Sequence, residues 1–217
     1  MPNESANLID RIIRTRITEK VLIPLSERPP VPAEVEAANK ALVESALQTA
    51  GWAPFHYPCK DKTIVEPWRA HILWNKETRK LADYLTNELK LPSKEPLLAA
   101  GCSALVLINW LPEACDETTN EKVHIRNEEH IAATSAMTQN FLLMLTAHGM
   151  GNYWSSGGCL RTPELFDYLK IPQHERLLGA IFIEYPEMQK EEFGSPQRKP
   201  GALRKQRGTD WINTIQR

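Results

Sequence analysis

The chain has 217 residues, 42% of them hydrophobic and 24% charged, with a formal net charge of −1. These values describe one globular unit with room for its own core, so 1–217 is expected to fold as a single domain. The near-neutral balance argues against a general nucleic-acid binder, and the longest apolar runs, "GCSALVLINWL" and "MTQNFLLMLTAHGM", are too short or too polar to span a bilayer.

The N-terminal "MPNESANLIDRIIRTR" lacks the basic-then-apolar pattern of a secretory signal, so a cytoplasmic protein is expected. In it Ser5 is placed to cap a first helix with Leu8, Ile9, Ile12 and Ile13 on one side. The prolines of "LIPLSERPPVPAEV" interrupt regular structure, and Pro32 suits the first position of a second helix. That helix carries Val35, Ala38, Leu42, Ala46 and Ala50 at helical spacing and stops at Gly51. "RAHILW" (69–74) and "SALVLIN" (103–109) read as strands around a charged helix at about 76–90. A long helix over 128–148 becomes apolar almost all round in its second half, so it belongs in the core, and Gly149 ends it. "NYW" starts a short extended segment, and "LLGAIFIEY" (177–185) reads as the best buried strand. Helices and strands mix without strict alternation, which gives an α+β class.

Cys59, Cys102, Cys115 and Cys159 form no CxxC pair and the six histidines are scattered, so free buried thiols and no metal site are expected. The last twenty residues carry six cations and one acidic group. They read either as a solvated tail or as an arm packed on a partner subunit, and Trp211 and Ile212 favour packing.

Four pieces carry chemistry. In "RTRITEKVL", alternating residues of an extended segment point the same way, so Arg16, Thr18 and Lys20 can present a guanidinium, a hydroxyl and an ammonium to one phosphate-bearing ligand. "AGWAPFHYPCKDKTIVEPWRAHIL" crowds Trp52, Phe55, His56 and Tyr57 into one loop, either a core-capping cluster or a binding loop. "HGMGNYWSSGG" (148–158) puts small residues after an aromatic, where backbone can approach a planar ligand closely. It is no GxGxxG and follows a helix, which argues against a Rossmann site. "SPQRKPG" brings Arg198 as a further phosphate contact.

In that order, "R-x-T-x-K", "AP-x-H … PW-x", the long apolar helix into "GMGNYWSSG", "LLGAIFIEY" and "RKP" resemble the FMN-dependent nitroreductase family, over about 13–200. The resemblance implies a central, mostly antiparallel sheet flanked by helices, in a homodimer with FMN at the interface and a C-terminal arm (201–217) exchanged between subunits. It implies that Arg16 and Thr18 hold the ribityl phosphate and flavin edge, that Ile17 offers backbone, and that Lys20 lies near the pyrimidine end. Trp52, Pro54 and His56 would come from the other subunit. Trp154, Ser155, Ser156 and Gly157 would border the ring, and Arg198 would meet the phosphate.

The implied activity is ping-pong hydride transfer from NADH or NADPH, through FMN, to a nitroaromatic, quinone or similar flat acceptor. No side chain need act as a nucleophile, and neither nucleic acid nor membrane is an expected partner. A non-catalytic homodimer, flavin-binding or flavin-free, with a regulatory role is the alternative. Four departures from the family stand out: Ile17 where a basic residue is common, Leu22 where an aromatic is common, Glu184 in place of a common glycine, and an insertion over 58–65 expected to rim the acceptor entrance.

Overall fold

The computed structural model describes residues 3–59, 63–113, 121–202 and 206–215. Its elements run α1 (Glu4–Thr15), β1 (Glu19–Leu22), α2 (Ala33–Ala50), β2 (Trp68–Leu73), α3 (Asn75–Asp83), α4 (Glu95–Gly101), β3 (Ala104–Trp110), α5 (Glu121–Ala147), β4 (Gly151–Ser155), α6 (Pro163–Leu169), β5 (Arg176–Glu184) and β6 (Gln197–Pro200). Four strands form one antiparallel sheet in the order β2-β3-β5-β4, and β1 pairs with β6 in a separate antiparallel ribbon. The mixed α+β class with an antiparallel sheet agrees with the expectation from sequence.

The central strands β3 and β5 are buried on both faces, which explains their unbroken apolar runs. Successive β3 residues alternate between two cores. Leu105 and Leu107 face a cluster with Leu81, Leu98 and Phe166 from α3, α4 and α6. Val106 and Ile108 face one with Val43, Phe141 and Leu145 from α2 and α5. The sheet is thus sandwiched between two helical layers. A polar tie joins its far edge: His71 Nε2 lies 2.7 Å from Glu175 Oε2, and Asn109 Nδ2 donates to the same oxygen at 2.8 Å. Burial alone would raise the Glu175 carboxyl, but the hydrogen bonds of His71 and Asn109 and the attraction of His71 and His174 hold it below its ordinary value.

Several local expectations are corrected. Asn3, not Ser5, caps α1, because its side chain accepts the Ser5 N–H at 3.1 Å. Pro32 is the N-cap of α2 rather than its first helical residue. The buried face of α2 is Asn39, Val43, Ala46 and Ala50, while Ala38 and Leu42 are exposed. Asn39 is accepted inside because its amide donates to Val35 O and to the Glu187 carboxylate, each at 3.0 Å. The charged helix passes from α to one π-helical stretch at Tyr84–Glu88 and ends there. α4 was not foreseen, and α5 begins seven residues earlier than the expected 128. Of the described thiols, Cys102 is buried while Cys59 and Cys159 are half-buried; Cys115 lies outside the described residues. Burial pushes the Cys102 thiol up to about 12. No described helix is long and apolar enough to cross a membrane.

Candidate functional site

The β1/β6 ribbon organises the site. Its register sets Lys20 opposite Lys199 and Val21 opposite Arg198. Directly paired residues of antiparallel strands share a face and neighbours alternate. Lys20 and Lys199 therefore occupy one face, and Glu19, Val21 and Arg198 the other. The segment before β1 continues the same alternation. Arg16 Nη1 donates to Thr18 Oγ1 at 3.1 Å, which keeps those two side chains together. Ile17 and Glu19 instead line a cleft of about 230 Å³ with Asn152, Glu184 and Arg198.

On the cleft side, charge is matched. Glu184 is 3% exposed and sits between two guanidiniums. Arg28 Nη2 donates to its Oε1 at 2.9 Å, and Arg28 Nη1 reaches Phe193 O, also at 2.9 Å. Arg198 grips the same carboxylate in a fork, at 2.9 and 3.0 Å, and also donates to Glu19 Oε2 at 2.7 Å. Burial pulls the Arg198 pKa down, but the hydrogen bonds and charges of Glu184 and Glu19 outweigh it and hold it above its usual value. The expected phosphate contact Arg198 is thus bound to two carboxylates, on the face away from Arg16, Thr18 and Lys20.

On the opposite side, three lysines lack a counter-ion among the described residues. Lys20 Nζ lies 5.4 Å from the centre of the buried Tyr153 ring, and Lys94 Nζ lies 6.0 Å from it. Among the described residues neither these lysines nor Lys199 has an ion-pair partner. Tyr153 belongs to β4, whose end carries the Ser155–Gly158 turn. Gly157 and Gly158 there have φ of 105° and 54°, a region that disfavours side chains. A Cβ on Gly157 would strike Leu177, and one on Gly158 would lie 2.6 Å from Glu95 Oε1. Ser155 Oγ accepts the Gly157 N–H at 3.2 Å and fixes the turn, while Ser156 stays exposed. A phosphate-bearing planar ligand fits this face: its three lysines have no counter-ion among the described residues, and the turn has no side chain at Gly157 and Gly158.

Trp154 points to the other face of β4, where its indole packs over Gly179; a Cβ at Gly179 would collide with it. Trp52, Pro54 and His56 are exposed, Trp52 at 90%. Their loop makes ring contacts at the β2 end: Phe55 sits edge-on to Trp68 at 5.6 Å, and Arg126 covers Tyr57 at 5.4 Å. Because β2 and β4 are opposite edges of the sheet, one chain does not bring this loop to the Ser155–Gly158 turn. Of the insertion, 60–62 lies outside the described residues, and Cys59 N–H donates to Val65 O at 2.7 Å across its base. In the tail, Leu203, Arg204 and Lys205 lie outside them too, and Trp211 and Ile212 are exposed in the single chain rather than packed.

Lys94, Glu95, Tyr153 and Lys199 escaped the reading of the sequence. Lys199 stands inside the quoted "RKP", and its signal was the alternation that pairs it with Lys20. That signal needs the strand register. Lys94 gives no local signal, since only the tertiary approach of α4 to β4 brings it to Tyr153.

No protein-family model matches the chain. It is 27% identical over 158 residues to a Bacillus subtilis (strain 168) protein named "Putative NAD(P)H nitroreductase YfhC", covering 70% of this chain and 76% of that one. A nitroreductase-like family protein from Bacillus cereus superposes with a TM-score of 0.59 at 21% identity, covering 94% of this chain and 96% of that one. A nitroreductase from Bacteroides fragilis with bound FMN gives 0.56 at 14% identity, covering 96% and 98%. A structure from Desulfovibrio desulfuricans in complex with FMN gives 0.53 at 20%, covering 88% and 91%. The fold is nitroreductase-like, in agreement with the resemblance carried by the sequence motifs.

Proposed function

We propose that this nitroreductase-like chain is an FMN-dependent NAD(P)H oxidoreductase that acts on a nitroaromatic, quinone or similar flat acceptor. The observation that carries the reading is the group of lysines without a counter-ion among the described residues, beside the Ser155–Gly158 turn. Bound FMN supplies a two-electron carrier, charged by NADH or NADPH and discharged on the acceptor in the same space, which gives ping-pong kinetics.

The protein's share is to bind and polarise. Arg16 holds phosphate oxygens with its fork, oriented by its hydrogen bond to Thr18, and Ile17 lends backbone. Lys20 and Lys94 place positive charge at the pyrimidine end, where negative charge develops on reduction. Ser155, Ser156 and Gly157 border the ring with backbone, and Trp154 stiffens their strand from behind by packing over Gly179. No side chain in this set is required as a nucleophile.

Trp52, Pro54 and His56 join the site only from a second copy of the chain, because they lie at the far sheet edge. A homodimer also gives cover to apolar side chains that one chain leaves in water, among them Leu8, Ile9 and Ile13 of α1 and Trp211, Ile212 and Ile215 of the arm. The arm is therefore assigned to the partner's surface.

The test is the visible spectrum of the purified protein, with its mass in solution and its initial-rate pattern. A yellow dimer with about one FMN per chain and parallel double-reciprocal lines is expected. Colourless protein that takes up no added FMN would overturn the reading.

A further inference from the structure

Resting on the flavin reading above, we propose that Lys199, and not Arg198, is the cation that β6 gives to the flavin phosphate. The two residues are neighbours in the same short strand, and the ribbon sends them to opposite faces. Lys199 lies directly across from Lys20, on the face that also carries Arg16 and Thr18. Arg198 lies across from Val21 and spends its guanidinium on Glu184 and Glu19.

The charge pattern gives the physical reason. Directly opposed residues of antiparallel strands have Cβ atoms about 5 Å apart, and like charges in such a pair repel. Among the described residues no carboxylate relieves Lys20 or Lys199. A bound flavin relieves the repulsion by drawing the two side chains apart, Lys20 toward the pyrimidine end of the ring and Lys199 toward the phosphate dianion. Arg198 cannot serve the same anion without giving up a buried carboxylate. Releasing Glu184 would leave the almost wholly buried Arg28 as its only partner. Lys199 is exposed and has no such commitment.

Riboflavin separates the phosphate from the ring. Apoprotein is titrated with FMN and with riboflavin, following flavin fluorescence, for the wild type, Lys199→Met, Lys199→Arg and Arg198→Met. Lys199→Met should weaken FMN about tenfold or more, the scale of one charged hydrogen bond, and leave riboflavin affinity unchanged. Lys199→Arg should restore most of the preference for FMN over riboflavin. Arg198→Met should lower the melting temperature of the apoprotein and leave that preference intact. The assignment fails if Lys199→Met keeps the wild-type preference, or if Arg198→Met alone abolishes it. Wild-type protein that binds neither flavin would instead sink the flavin reading, a result distinct from the other two.

Discussion

Two faces of one short ribbon handle cations in opposite ways. On the cleft face, Arg28 and Arg198 share the Glu184 carboxylate, with Glu19 completing the set. On the other face, Lys20 and Lys199 oppose each other, Lys94 approaches from α4, and among the described residues none of the three has a counter-ion. Matched, buried charge fixes a structure, since its partners are costly to separate. Unmatched charge is a standing liability unless a ligand completes it. The contrast therefore divides residues of similar sequence character into those that hold the fold and those that the proposal gives to a ligand.

The sharpest way to break the contrast is at its buried centre. Glu184→Gln keeps shape and removes the charge, leaving Arg28 in the core without its carboxylate. Breaking a buried pair in this way costs about 3–5 kcal/mol, so urea unfolding of the apoprotein should shift by that amount with the slope unchanged. The preference of the surviving folded protein for FMN over riboflavin should persist, because the lysine face is untouched. A loss below about 1 kcal/mol would mean that the pair behaves as an exposed one, and the division between the faces would collapse.

Next in size is Arg16, the first cation of the ligand face. Arg16→Ala should weaken FMN by about 1.5–3 kcal/mol with little change in apoprotein stability. Arg16→Lys should recover only part, because an ammonium has no fork to match two phosphate oxygens. Titration of both variants with FMN, alongside apoprotein melting, checks the split. An Arg16→Ala protein that melts earlier but binds FMN normally would move Arg16 to the structural side.

What the sequence showed of this arrangement follows a physical divide between local and tertiary information. The Arg16-Thr18-Lys20 alternation is local to one extended segment, so it was legible, as were the apolar runs that became β3 and β5. The opposite facing of Arg198 and Lys199 was not, because it depends on pairing with β1, and the Arg198 partner Glu19 lies 179 residues away. The α2 face was misjudged for the same reason: Asn39 turns inward because Glu187 waits there, which no helical periodicity reveals. α1 was read correctly as amphipathic, yet Leu8, Ile9 and Ile13 remain exposed, since periodicity shows a face without showing what covers it. α4, seven residues long, is too short to carry a period at all.

The smallest expected effect comes from salt, and it acts on the two faces unequally. Solvent-exposed charges are screened over about 10 Å at 0.1 M ionic strength and about 3 Å at 1 M, whereas buried pairs are screened much less. Lys199 is exposed, while the carboxylate of Glu184 and the guanidinium of Arg28 are each 3% exposed. Raising potassium chloride from about 0.1 M to 1 M should therefore weaken FMN binding a few-fold and leave riboflavin binding nearly constant. In Lys199→Met the same rise should produce a shallower loss, because one of the screened charges is already gone. The destabilisation caused by Glu184→Gln, measured at both salt concentrations, should stay almost the same. Equal salt sensitivity of FMN and riboflavin would show that Lys199 acts on the ring rather than on the phosphate. A Glu184→Gln effect that faded with salt would show that water reaches the Arg28 pair, and the buried face would then differ from the ligand face only in degree.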